Sequence, residues 1–272
     1  MTRWCCAAAA LALAAVVEVA FAQPAPVNVA DFQDEFQVGT PRPGWAYLWN
    51  GNGPLGNRAN YVPLVADNGR YESVANGTYP DPAPGSFVTV GSSTVDLARY
   101  PYEIPGLPPM PQTFVRPGQG RTQNAAGPFE RAAIVAYTFS AQDFSDAGLA
   151  PGVRGRGYIT DYDFAVAVDG VDGVSARVYR DTDATPVIDF SLDNPPPFIP
   201  PFRFQTALDP RPRFVGDYAV GETVYFAIGS NLNDTNDEMR LDFTLGLTPV
   251  PEPTSLALLA PLVLGLLIRR RR

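Results

Sequence analysis

Proline and glycine punctuate this chain so densely that long helices are excluded from its middle. They number 29 and 24 of 272 residues, about a fifth of the chain against an average near 12%. The apolar runs between them are short and tend to alternate: AAIVAYTF (132–139), YITDYDFAVAV (158–168), VSARVYR (174–180), PVIDFSL (186–192), FRFQTAL (202–208), ETVYFAIG (222–229) and MRLDFTLGL (239–247). A period of two is the mark of strands with one face turned to a core. In FAVAVDGVDGVSARVYR two such segments flank Asp-Gly-Val-Asp-Gly, a pattern that predicts a hairpin. About ten strands, with no helical stretch outside the termini, predict an all-β fold: one antiparallel β-sandwich or jelly roll over residues 23–249. The proline clusters at 100–120 and 194–202 cannot be central strands, because proline donates no ladder hydrogen bond, and are expected as loops at the rim.

The two ends differ from this body. Met1 to Arg3 is a short positive start, Trp4 to Val17 is almost uninterrupted apolar sequence, and Ala20-Phe21-Ala22 is a small-x-small cleavage pattern. Residues 1–22 therefore read as a signal helix, with the mature chain beginning at Gln23. Cys5 and Cys6 fall inside that segment, so the body carries no thiol chemistry and no disulfide. At the other end, Thr254 to Ile268 is apolar and Arg269 to Arg272 follows it. As a helix the apolar run is about 22 Å long, a marginal span for a hydrocarbon core of ~30 Å. The arginines would stay in the cytoplasm and the body outside.

Two absences limit the chemistry. The chain has no histidine, and all 20 of its basic residues are arginine. Ser-His-Asp and Cys-His systems, histidine bases and the usual zinc and iron sites are excluded together. Residues 23–249 set fifteen arginines against twenty-six carboxylates, a net charge of −11. No basic stripe is present for a phosphate backbone, so nucleic acid is excluded as a partner.

Four motifs remain. GNGPLG at Gly51–Gly56 has dinucleotide-fingerprint spacing, but without a buried parallel strand and a following helix it is a turn. Asp161 and Asp163 in TDYDF alternate and share one strand face. Two carboxylates suffice for glycoside hydrolysis, although solvation is the commoner role of such a pair. Asn233, Asp234, Asn236, Asp237 and Glu238 in NLNDTNDE crowd the oxygen donors that calcium takes, as a stabilising ion if one binds. They lack the glycine of an EF-hand loop, and ordinary loops use the same residues. Trp45, Tyr47 and Trp49 in GWAYLWNGN fall on one face of a strand, with Ala46 and Leu48 on the other. Turned inward, as such a face usually is, the strip is core; turned outward, it would stack on sugar rings.

Pro251-Glu252-Pro253, then a hydrophobic stretch, then the terminal arginines, resembles the PEP-CTERM sorting tail of exported proteins of Gram-negative bacteria. The likeness covers residues 250–272. It implies membrane anchoring through the tail, recognition by a membrane-embedded exosortase, removal of the tail near the motif, and delivery to the cell surface or exopolysaccharide matrix. GETVYFAIGSNLNDTNDEMRLDFTL and DGVSARVYRDTDATPVIDFSL look like the closing strands and middle hairpin of jelly-roll modules in secreted bacterial proteins, a likeness of fold rather than of activity. The expected protein is exported, processed by signal peptidase and exosortase, non-catalytic and without a cofactor beyond structural calcium, with polysaccharide as the candidate ligand. The alternative is a carboxylate-dependent glycoside hydrolase or polysaccharide lyase.

Overall fold

The computed structural model describes residues 24–67, 69–73, 88–92, 112–117, 130–166, 174–192, 203–205, 210–230 and 238–250. These form strands β1 (Val27–Asp31), β2 (Trp45–Trp49), β3 (Val62–Pro63), β4 (Val65–Asp67), β5 (Arg70–Glu72), β6 (Thr89–Ser92), β7 (Thr113–Arg116) and β8 (Ala133–Thr138). They continue as β9 (Gly155–Val166), β10 (Val174–Arg180), β11 (Ile188–Leu192), β12 (Arg203–Gln205), β13 (Arg213–Tyr218), β14 (Thr223–Gly229) and β15 (Met239–Pro249). The fold is all-β, in two antiparallel sheets. The larger has nine strands, in the order β12-β9-β15-β7-β6-β5-β4 with β1 also on β15 and β13 also on β9; the smaller has six, in the order β11-β10-β14-β8-β2-β3.

The core lies between the sheets, where alternation directs apolar residues from both. β15 contributes Leu241, Phe243, Leu245 and Leu247, and β14 contributes Val224, Phe226 and Ile228, all buried. Phe243 stacks on Phe226 across the interface with ring centroids 4.0 Å apart, and on Phe32 at 5.2 Å. Trp45 and Tyr47 join this cluster. Trp45 packs edge-on against Tyr137 at 4.9 Å and donates its indole N–H to Glu35 Oε2 at 2.5 Å. Both rings are buried and half-buried Trp49 packs on the same cluster, while Ala46 and Leu48 face the other way. Trp45 and Tyr47 are therefore interior wall and not open to a sugar, and half-buried Trp49 adjoins them.

A second apolar layer covers the outer face of the smaller sheet. Ile134, Ala136, Tyr179, Tyr225 and Ala227 are buried there beneath Leu55 and Tyr61. Those two come from the segment that holds GNGPLG, so the fingerprint is a turn that folds a covering loop over the sheet. Gly56 has φ of +83°, and a side chain there would collide with the Ala184 carbonyl.

Three expectations are corrected. The stretch 100–120 is not all rim loop: within it the proline-free Thr113–Arg116 is β7, paired with β6 on one side and β15 on the other. β9 and β10 are not a hairpin: β9 pairs with β15, β13 and β12 in the larger sheet, whereas β10 pairs with β11 and β14 in the smaller. Alternation states which side chains face inward and not which strand lies beside them, and each strand finds a longer matching partner elsewhere. Residues 167–173, with the Asp-Gly-Val-Asp-Gly segment, lie outside the described residues. Short helices also occur within the body. Asp31 caps Phe32–Glu35 by accepting from the Asp34 N–H at 2.9 Å, and Ser140 with Asp143 forms a capping box on Ala141–Asp146. The signal and tail helices expected at 1–22 and 250–272 fall outside the described residues, apart from Val250.

Replacing Trp45 by alanine removes a ring from the centre of this cluster. Urea denaturation of Trp45→Ala is expected to show a loss of about 3–5 kcal/mol. A loss below about 0.5 kcal/mol, the size usual for surface changes, would place the ring outside the core.

Candidate functional site

With one outer face covered by a loop, chemistry concentrates on the outer face of the larger sheet. Along β15 the residues between the inward leucines and phenylalanine are Arg240, Asp242, Thr244 and Gly246. On β9 the inward set is Ile159, Tyr162 and Phe164, so Asp161 and Asp163 point outward together, as their spacing predicts. The register sets Asp163 opposite Asp242, and Asp161 opposite Thr244. Thr244 also faces Asp31 of β1 and donates its hydroxyl to Asp31 Oδ2 at 2.9 Å. Four carboxylates, Asp31, Asp161, Asp163 and Asp242, thus share adjacent positions on three strands.

Asp242 responds most to this crowding. Burial first, then the charge of Asp31, with smaller contributions from Asp161 and Asp163, raise its pKa to about 7 against a lowering by the Gln33 N–H. A carboxyl of that kind holds a proton near neutrality and can give it up. Asp163 and Asp242 are cross-strand neighbours on one face, where Cβ atoms lie roughly 4.5–5.5 Å apart. Asp161 and Asp163 were legible as a pair from sequence. Asp242 was not singled out, although its place in Leu-Asp-Phe-Thr-Leu already turned it away from the core.

Toward the other end of the same face lies an ionic cluster on Phe114. Arg116 Nε donates to Glu238 Oε2 at 2.5 Å, and Arg240 Nε lies 2.8 Å from Glu238 Oε1. Both guanidinium groups sit over the Phe114 ring, each 5.1 Å from its centroid. Glu238 and Arg240 are fully buried. Glu238, one of the candidate calcium donors, is paired here with Arg116 and Arg240, and removing it would leave the buried Arg240 without its counter-charge. Asn233, Asp234, Asn236 and Asp237 lie outside the described residues, as do Pro251, Glu252 and Pro253. Among the described residues no group of three carboxylates has metal-binding geometry.

One aromatic pair does reach solvent. Phe214 on β13 is 49% exposed and stands edge-to-face with Tyr158 on β9, at 5.7 Å. The Arg156 guanidinium lies 5.8 Å from the Phe214 centroid and is ion-paired with Asp217 at 3.5 Å. Nearby, Thr160 donates to Asn28 Oδ1 at 2.8 Å. Flat apolar surface and hydrogen-bonding groups therefore adjoin on one sheet face. No alternating aromatic run announced this pair, because its members come from strands more than fifty residues apart.

The raised pKa of Asp242 has a definite sign for stability. Between about pH 4, where the unfolded carboxyl ionises, and about pH 7, where the folded one does, the native state holds a proton that the unfolded state has released. Stability contributed by this group falls as pH rises through that window. Asp242→Asn is expected to exceed the parent protein in stability at pH 8 by on the order of 1 kcal/mol, after allowance for solvent screening, and the gap should close by pH 4. A gap independent of pH in thermal melts would contradict the shift. Comparisons with protein-family models, curated proteins and solved structures find no match for this chain.

Proposed function

We propose that this is an exported protein of the cell surface or exopolysaccharide matrix, delivered through its C-terminal tail, with a jelly-roll body that binds glycan and performs no catalysis. The carrying observation is where the sandwich stops. Its last strand ends at Pro249, one residue short of the segment Pro251-Glu252-Pro253, so an enzyme cutting near the motif would remove nothing that the two sheets use. A body with neither cysteine nor histidine suits export and a non-catalytic role. The glycan reading draws on Phe214 and Tyr158, since an exposed ring beside hydrogen-bonding groups matches the apolar face and hydroxyl rim of a sugar.

Intact-mass measurement on protein extracted from the cell surface is expected to show the residues after the motif missing. Chains still ending in Arg272 at the surface would overturn delivery by tail removal.

A carboxylate-dependent glycoside hydrolase or polysaccharide lyase is the second reading, favoured by the pairing of Asp242 with Asp163. One experiment separates the two. Under the binding reading, Phe214→Ala loses retention on exopolysaccharide while stability changes by no more than about 0.5 kcal/mol, and Asp242→Asn still binds. Under the enzymatic reading the parent protein cleaves the polymer, and Asp242→Asn does not. Unchanged retention by Phe214→Ala would remove the aromatic pair as the binding surface.

A further inference from the structure

The sandwich takes in its chain and releases it at the same pole. β1 begins at Val27, opposite Leu247, and β15 ends at Pro249, opposite Gly155. A side chain on Gly246 would come within 2.9 Å of Pro26 Cβ and 2.7 Å of Thr160, so the incoming segment lies directly on the outgoing strand. This pole is also a single block. The segment from Ser140 to Arg154 joins β8 to β9 there, and the turn Ala219–Glu222 joins β13 to β14. Gly221 donates to the Phe139 carbonyl at 2.8 Å, Phe139 N–H to Glu222 at 3.0 Å, and Arg154 to Glu222 Oε1 at 2.9 Å and to the Asp217 carbonyl at 2.6 Å. The opposite pole holds the end of β14, the start of β10 and the Glu130–Arg177 ion pair at 2.7 Å.

Chain length then limits how far this pole can stand from a membrane. Five residue steps separate Pro249 from Thr254, where the apolar run begins. Fully extended they reach at most about 18 Å, of which the headgroup layer takes roughly 5–8 Å. We infer that, while the tail is inserted, the sandwich rests on the lipid surface by the pole formed from 140–154 and 219–222, with the Glu130–Arg177 pole pointing away. The inference rests on the tail reading above and adds an orientation to it. The surface mixes small or apolar residues with polar ones suited to headgroup contact: Ala141, Ala150, Pro151 and Gly152 are exposed, Val220 is 47% exposed, Gln142 donates to the exposed Asp146, and Arg154 is neutralised by Glu222. Both processing sites, after Ala22 and near Pro251–Pro253, then fall in one narrow gap, and each can be cut with the sandwich folded.

A chain from Gln23 to Arg272 contains no cysteine, so single cysteines can carry a fluorophore. Val220→Cys and Gln142→Cys report on the proposed contact pole. Asn52→Cys, in the exposed turn after β2, reports on the far one. In phosphatidylethanolamine–phosphatidylglycerol vesicles bearing a headgroup quencher, the first two are expected to lose fluorescence and the third to keep it. A spacer of roughly ten Gly/Ser residues after Pro249, adding about 17 Å of mean reach, should restore fluorescence at Val220 and Gln142 without releasing the protein. Equal quenching at all three positions, or quenching indifferent to the spacer, overturns the orientation while leaving the anchor intact. Failure of the chain to stay with the vesicles overturns the tail reading itself.

Discussion

The contact between Phe243 and Phe226 across the two sheets organises this protein. Phe243 lies on β15, which is bordered by β1, β9 and β7, and Phe226 lies on β14, which is bordered by β10 and β8. Around this pair gather Phe32 and Trp45, and Phe164 approaches Phe243 at 6.4 Å. Burial of large rings is the strongest favourable term available to a domain whose described residues include no cysteine. Removing the Phe243 ring would loosen both sheets at once, because β15 is the strand through which the larger one is assembled.

The outer faces have different fates. The smaller sheet is covered by its own chain, with Leu55 and Tyr61 forming a lid of apolar contacts over Tyr179 and Tyr225. The larger sheet carries charge on its outer side, grading from an arginine–glutamate cluster on Phe114 to Asp242 and the three aspartates around it. Like charges on adjacent strands oppose folding, and they add to the burial that raises the pKa of Asp242. A protein can retain such a cost where the face serves a purpose other than stability.

Much of the fold was readable from the chain. The runs at 132–139, 174–180, 222–229 and 239–247 are strands at nearly those bounds, and the inward sense of Trp45 and Tyr47 follows from their alternation. Strand neighbours were not readable. The β9–β10 hairpin failed because a turn-like sequence between two alternating segments is compatible with crossing from one sheet to the other. The very short strands from β3 to β7 were missed for a related reason, since two to four residues carry no period. The helix Ala141–Asp146 did have a signal in Ser-Ala-Gln-Asp, a capping box that the density of prolines elsewhere obscured. The Phe214–Tyr158 pair and the pairing of Asp242 with Asp163 required tertiary register, which no local pattern encodes.

That β15 is both the last strand and a central one bears on how the protein is made. Its partners include β1, at the far end of the body, so the pairing of Val27 with Leu247 spans nearly the whole domain. Loop-closure entropy makes such non-local pairing late and slow. Until β15 has been synthesised, the larger sheet lacks the strand that joins β1, β9 and β7, and the aromatic centre lacks Phe243. The larger sheet and the aromatic centre can therefore be completed only when the final strand is in place, whereas the smaller sheet needs nothing from β15 for its own strand pairing.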